Sequence, residues 1–149
     1  MQELEKNEKI SIYGELDIKF LNKNVEKMID ISMEDKQVSE IGEAIYELLW
    51  KQYAKFDYKW EDIKKEVKTT RIVIEGNIID SEKYINIYGY VEDRTGIPSE
   101  NGKKYDFYIV KIKVKELFKE LEEVCDNYIC EFNTIKEGLK FVIKKIEIL

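Results

Sequence analysis

Hydrophobic and polar residues alternate near the beginning of the chain, between positions 9 and 20. The apolar phase of this alternation consists of Ile10, Ile12, Leu16, Ile18 and Phe20. A period of two residues is typical of a half-buried β-strand. Gly14 falls in the same phase, which indicates a bulge or a bend at that position. The period returns at 25–33 after a polar turn at 22–24, so the chain is predicted to begin with a β-hairpin.

The spacing of apolar residues becomes helical after residue 35. The apolar stripe consists of Val38, Ile41, Ile45, Leu48, Leu49 and Phe56. Residues that recur every three or four positions predict an amphipathic helix, and Asp35 or Ser39 is expected to cap its beginning. Asp57 is expected to cap a second, shorter helix that ends near Val67.

Three further strand-like segments follow these helices. Residues 71–79 and 84–91 flank the polar segment 80–83, which predicts a second hairpin. Residues 105–114 are dense in aromatic and β-branched residues and predict another strand. The segment 92–103 contains the only proline of the chain and predicts a long loop. Because the strands follow one another without long crossovers, the sheet is predicted to be antiparallel.

The end of the chain leaves two alternatives open. Residues 115–128 have helical spacing and predict a helix. Residues 134–149 begin with a capping-box sequence that favours a helix, but their β-branched residues also suit a strand; we favour the helix, with a strand at the very end. The order of elements predicts a single α+β domain over 1–149, an antiparallel five-stranded sheet of two N-terminal strands and a three-stranded meander, with helices packed on one face.

Composition excludes several classes of protein. The chain has 149 residues, of which 44% are hydrophobic, and this hydrophobic content argues against disorder. No apolar run approaches the ~20 residues that a membrane span needs, and the N-terminal residues do not resemble a signal peptide. We therefore expect a cytoplasmic protein that has no membrane partner.

Histidine and a glycine-rich phosphate-binding loop, on which many classes of enzyme depend, are missing. The chain has no histidine, which removes the commonest general base and most zinc sites. No glycine-rich phosphate-binding loop is present, and the thiols of Cys125 and Cys130 are expected to be buried and inert. We predict a non-enzymatic protein with no catalytic residues, no cofactor and no metal site.

One group of residues keeps an enzymatic alternative open. Asp80 and Glu82, together with Lys83, have the composition of a carboxylate–metal nuclease site. The same residue types are also expected in an ordinary turn between two strands. The turn is the favoured interpretation, and the nuclease remains a third alternative.

Acidic charge is concentrated in the first part of the chain. Residues 1–62 carry fifteen Asp and Glu against nine Lys, whereas residues 63–149 carry sixteen charges of each sign. Nucleic-acid binding requires neutralisation of phosphates, so this distribution disfavours a nucleic-acid partner. It favours a protein partner with a basic surface. The oligomeric state is not predicted.

The first helix has a second aromatic face, formed by Tyr46, Trp50 and Tyr53 and lying about 100° from the apolar stripe. Tyrosine and tryptophan are enriched in interface hot spots. We predict that these residues bind a partner protein, with Glu43 and Glu47 orienting its basic surface. In the alternative interpretation, this face packs beneath the following helix.

These observations lead to one principal hypothesis. The protein is expected to neutralise a partner protein by covering part of its surface, as immunity proteins and phage anti-defence inhibitors do. Arg94, in the predicted loop 92–103, is a further candidate contact. The alternative is a protein that binds or sequesters a nucleotide-like small molecule among the tyrosines of the strands. Those tyrosines are Tyr84, Tyr88, Tyr90, Tyr105 and Tyr108.

Overall fold

The chain folds as an α+β structure, which confirms the predicted fold class at this level. The computed structural model describes residues 2–19, 26–56, 67–93, 103–132 and 139–149, with side chains described for 2–15, 31–48, 67–93, 104–124, 126–128 and 139–149. In chain order the elements are β1 (Gln2–Glu5), β2 (Lys9–Lys19), β3 (Glu26–Gln37), α1 (Val38–Phe56), β4 (Val67–Ile74), β5 (Asn77–Asp80), β6 (Tyr84–Asp93), β7 (Lys103–Lys113), a 3₁₀ turn (Val114–Glu116), α2 (Leu117–Phe132) and β8 (Leu139–Ile148).

The described strands form two sheets of four strands rather than the single five-stranded sheet that the sequence predicts. The first sheet has the order β1-β8-β6-β7, the second has the order β3-β2-β4-β5, and all neighbouring strands are antiparallel. The prediction of one sheet is therefore wrong. It failed because β5 and β6 are consecutive in the chain but belong to different sheets.

The second predicted hairpin is also wrong in its position. The turn that joins two paired strands lies at Glu75 and Gly76, between β4 and β5. Both residues have a positive φ, 48° at Glu75 and 82° at Gly76, as a tight hairpin turn of the primed type requires. Residues 81–83 instead connect the two sheets. A single Glu-Gly pair is a weaker turn signal than Asp-Ser-Glu-Lys, so the sequence pointed to the wrong segment.

Residues 139–148 form a strand, so the helix that we favour there is wrong for this segment. β8 lies between β1 and β6. Its pairing with β6 shifts by one residue at Lys144, because a bulge inserts an extra residue into the strand. The buried side chains of β8 are Leu139, Phe141, Ile143, Ile146 and Ile148. The step of three residues between Ile143 and Ile146 interrupts the period of two that predicts a strand.

Several other predictions are confirmed. β2 and β3 form the predicted hairpin, and the register of β2 against β4 shifts at Gly14. α1 ends at Phe56 as predicted, but it begins at Val38, so Gln37 rather than Asp35 or Ser39 occupies the N-cap. The Glu40 carboxylate accepts a hydrogen bond from the Gln37 amide at 3.3 Å, which is one half of a capping box.

Residues 57–66 of the predicted second helix, the turn at 22–24, residues 94–102 of the predicted loop 92–103 and the capping-box residues 134–137 lie outside the described residues. The described ends differ from the prediction, because Val67 belongs to β4, residues 92 and 93 belong to β6 and Lys103 belongs to β7. Among the residues that are described, no helix combines the length and the apolar character needed to cross a membrane.

The core brings both sheets and both helices together. α1 packs mainly on β8, and α2 packs on β4 and β7. A Cβ atom on Gly42 of α1 would lie 2.6 Å from the Cβ of Phe141, so only glycine allows the helix to approach the strand this closely. The largest fully buried side chains are Phe118, Phe141, Leu4, Ile10, Ile12, Ile31, Ile41, Ile45, Ile72 and Ile85.

Thr69 in β4 is an exception to this apolar core. Its side chain is fully buried, and its hydroxyl has no hydrogen-bond partner among the described residues. A buried polar group without a partner loses its hydration without compensation, at a cost of about 1–3 kcal/mol.

We expect Thr69→Val to raise the free energy of unfolding by about 1 kcal/mol, because valine keeps the shape and removes the unpaired hydroxyl. The measurement is urea denaturation followed by circular dichroism. Thr70→Val is the matched control, since the exposed Thr70 hydroxyl donates to the Tyr13 carbonyl at 3.2 Å. The control is expected to leave stability unchanged or to lower it. A loss of stability in Thr69→Val would contradict the assignment of an unpaired hydroxyl.

Candidate functional site

Four tyrosines lie on the outer face of the first sheet, opposite the face that packs against α1. Tyr84, Tyr88 and Tyr90 alternate along β6 with buried apolar residues. Tyr108 of β7 pairs with Tyr88 across the two strands, and the centroids of these two rings lie 5.5 Å apart in an edge-to-face arrangement. We call this surface, defined by the four tyrosines, the tyrosine face.

Among the described residues, no other element covers the tyrosine face. Tyr108 is 68% exposed, its neighbour on the same face, Val110, is 61% exposed, and Tyr84 is 40% exposed. Scattered exposed apolar side chains are ordinary, but contiguous aromatic ones often mark a binding surface. The sequence contained a signal for this surface, because the tyrosines of β6 occupy the polar phase of an alternating strand.

Lysines accompany three of the four rings. The Lys104 Nζ lies 4.9 Å from the centroid of the Tyr90 ring, the Lys145 Nζ lies 5.8 Å from that of Tyr88, and the Lys113 Nζ lies 5.9 Å from that of Tyr84. Each such contact at an exposed site contributes about 0.5–1 kcal/mol. Sequence reasoning missed these lysines, because they come from β7 and β8 and meet the rings of β6 only through strand pairing.

Bulges determine which side chains reach this face. The bulge in β8 leaves both Lys144 and Lys145 outside the core, although they are consecutive residues. A second bulge lies in β7 at Lys111, whose φ is 52°. The Asn86 side chain supports it by accepting a hydrogen bond from the Lys111 amide at 2.7 Å and donating one to Glu147 at 2.8 Å.

A groove of about 380 Å³ crosses the tyrosine face. It is lined by Tyr88, Tyr108, the backbone of Gly89, the lysines Lys6, Lys144 and Lys145, and the carboxylates Glu5 and Asp106. Four of these residues form one row across the sheet, because Glu5 pairs with Lys145, Lys145 with Tyr88, and Tyr88 with Tyr108. The groove therefore places cations and aromatic rings side by side.

Tyr105 does not belong to this face. It lies on the opposite side of β7, and its ring centroid is 5.4 Å from that of Tyr128 in α2. The Tyr128 hydroxyl donates a hydrogen bond to the Asp106 carbonyl at 3.0 Å. The structure thus brings together four of the five strand tyrosines that the sequence proposed for a small-molecule site.

The residues predicted on α1 have different surroundings. Tyr46 is half-buried, and its ring centroid lies 5.8 Å from that of Phe141, so it contributes to the packing of α1 on β8. Glu43 forms a long ion pair with Lys140 at 3.9 Å, and Glu47 is exposed. The side chains of Trp50 and Tyr53 and the whole of Arg94 lie outside the described residues.

Asp80 and Glu82, the carboxylates of the nuclease alternative, lie at the turn that follows β5. The Asp80 carboxylate accepts hydrogen bonds from the Glu82 amide at 3.1 Å and from the Ser81 hydroxyl at 3.2 Å. Glu82 forms ion pairs with Lys113 at 2.8 Å and Lys115 at 2.9 Å. Within the described part of the chain, no three Asp, Glu or Cys side chains are grouped to hold a metal ion.

Hydrogen bonds from Lys113 and Lys115 lower the pKa of Glu82 to about 2. Since the folded pKa lies below the ordinary value, the ion pairs stabilise the fold above pH 4.5 and lose their effect as the pH falls towards about 2. The Glu82 side chain is 57% exposed, so the effect on stability is expected to be small.

We therefore expect Glu82→Gln to lower the melting temperature slightly at neutral pH, and the difference from the wild type to vanish towards pH 2. Thermal denaturation followed by circular dichroism across this pH range measures the difference. Lys115→Met is the control, because it leaves only the Lys113 ammonium group beside Glu82. In this variant the stabilisation by the ion pair should be lost at a higher pH than in the wild type. A difference that stays constant down to the lowest pH would show that these ion pairs do not stabilise the fold.

Comparisons with known proteins give no match to this chain. No protein-family model, no curated protein and no solved structure matches the chain. Any function has to be inferred from the chain's own surfaces.

Proposed function

We propose that the protein is a cytoplasmic, non-enzymatic binding protein that neutralises a partner protein by covering part of its surface, and that it binds through the tyrosine face. The observation that carries this proposal is the exposure of Tyr84 and Tyr108 on one open sheet face. Core packing does not explain aromatic residues at these positions, since the opposite face of the same strands supplies the core.

Tyrosine is well suited to such a surface. Its ring gives a large contact area but has only two side-chain torsions to immobilise, so little conformational entropy is lost on binding. Its hydroxyl supplies a hydrogen bond at the edge of the contact. The edge-to-face contact between Tyr88 and Tyr108 and the lysines beside the rings restrain these side chains before a partner arrives, which lowers the cost of association further.

The dimensions of the face agree with a protein partner. β6 and β8 each have 10 residues and β7 has 11, which at about 3.3 Å per residue gives a length of roughly 35 Å. Four strands at a spacing of about 4.8 Å give a width of roughly 15 Å. A face of this size, with side chains projecting from it, is comparable with the ~800 Å² that each partner buries in a standard interface.

The charge of the face changes the expected partner. Glu43 and Glu47 on α1 predicted a basic partner, but Lys104, Lys113 and Lys145 lie directly beside the tyrosines. Lysines at these positions favour a partner that presents carboxylates opposite them, since complementary charges accelerate encounter and select the register of binding.

The test uses the partner protein that the wild-type chain retains from lysate of its native host. We expect Tyr108→Ala to weaken the affinity for that partner by about 30-fold, the effect of a hot-spot residue. The melting temperature should stay nearly unchanged, because Tyr108 is 68% exposed. Surface plasmon resonance gives the dissociation constants.

Tyr13→Ala is the matched control. Tyr13 lies on the second sheet, where Arg71 lies 5.3 Å above its ring, and its replacement should leave binding intact. Trp50→Ala examines the surface that the sequence predicted on α1. Full affinity in Tyr108→Ala together with a large loss in Trp50→Ala would refute the tyrosine face and favour α1 as the binding surface.

A further inference from the structure

We propose that the groove on the tyrosine face binds a nucleoside phosphate, with the base against Tyr108 and the phosphate against Lys144 and Lys145. This site goes beyond the proposed partner binding and does not depend on it. The groove's volume of about 380 Å³ lies within the range of about 300–1,000 Å³ that small-molecule sites occupy.

The aromatic end of the groove suits a base. Tyr88 meets Tyr108 edge to face, with an interplanar angle of 72°, so the two rings do not stack on each other. Tyr108 is 68% exposed, which leaves its ring accessible to a planar ligand. Stacking of a base on an aromatic side chain is favourable for every base, because each has a π-face.

The other end of the groove suits a phosphate. The bulge in β8 exposes Lys144 and Lys145 as consecutive residues, and Lys6 from the turn between β1 and β2 joins them. Lys145 also forms an ion pair with Glu3 at 3.1 Å, and Glu5 lines the same end. The carboxylates of Glu3, Glu5 and Glu147 therefore surround Lys145. Within the described part of the chain Lys6 and Lys144 form no ion pair, so their ammonium groups can contact an anion.

The distance between the two ends matches a mononucleotide. Lys145 and Tyr108 are in the same row with β6 between them, so their strands lie about 10 Å apart at about 4.8 Å per strand spacing. A ribose joins a base to its phosphate over a similar length. Asp106 lies on the aromatic side, where its carboxylate is positioned to accept hydrogen bonds from the N–H groups of a base.

A free nucleotide and a nucleotide within a single-stranded nucleic acid both carry the base and the phosphate that this site would bind. The tyrosine face continues along β6 from Tyr88 to Tyr90, where Lys104 accompanies the ring. A single-stranded nucleic acid would place a second base against Tyr90, whereas a free nucleotide would not contact Tyr90.

Titrations with adenosine monophosphate, adenosine, sodium phosphate and a short oligodeoxyadenylate, followed by two-dimensional NMR, test the site. We expect adenosine monophosphate to bind at least about tenfold more tightly than adenosine or phosphate, because it engages both ends of the groove. If the oligodeoxyadenylate binds more tightly than adenosine monophosphate and shifts the signals of Tyr90, the natural ligand is a single-stranded nucleic acid. If the two bind equally, the natural ligand is the free nucleotide. Either result supports the site.

Variants locate the site within the face. Tyr108→Ala and Lys144→Ala should each weaken the binding of adenosine monophosphate by about tenfold. Tyr84→Ala, which changes a tyrosine of the same face outside the groove, should bind as the wild type does. No binding at millimolar concentration, equal binding of phosphate alone, or full binding by Tyr108→Ala would each overturn the proposal. None of these results bears on the partner protein, whose affinity is measured separately.

Discussion

The close packing of α1 on β8 sets which face of the first sheet is buried and which is exposed. Gly42 lets the helix approach Phe141 to a distance that any side chain at that position would prevent. The inner face of the first sheet is therefore part of the core, where Phe141, Ile143 and Ile146 of β8 are buried. Because side chains alternate along a strand, Val142 lies on the outer face, and the bulge leaves both Lys144 and Lys145 outside the core.

The outer face is therefore a consequence of burial on the inner one. Ile85, Ile87 and Val91 fill the core, which leaves the tyrosines of β6 in the opposite phase. The β8 bulge then adds two lysines to the same surface. Tyr108 is central to both proposed contacts, so a nucleotide in the groove and a partner protein on the face would compete for the same ring.

Sequence patterns predicted those elements whose hydrophobic period runs undisturbed. α1 and the hairpin of β2 with β3 as far as Met33 were predictable, because each repeats its own period over that length. The end of β3, which follows a bulge after Met33, was not predicted. β8 was not, since its bulge changes the phase of the period at Lys144. The candidate site was predictable only in part. The sequence named five strand tyrosines, of which Tyr105 packs against Tyr128 instead, and it did not identify the lysines that lie beside the other rings.

Sequence patterns are sufficient to predict the α+β class, the lack of histidine chemistry and the alternation that exposes the tyrosines of β6. These properties depend on composition and on the local period of each segment. Long-range contacts, in contrast, place β5 and β6 in different sheets and pack Tyr46 on Phe141. They also bring Lys104, Lys113 and Lys145 beside the tyrosines. The physical reason is that strand pairing and helix packing join residues distant in the chain, and no local pattern encodes which partners meet.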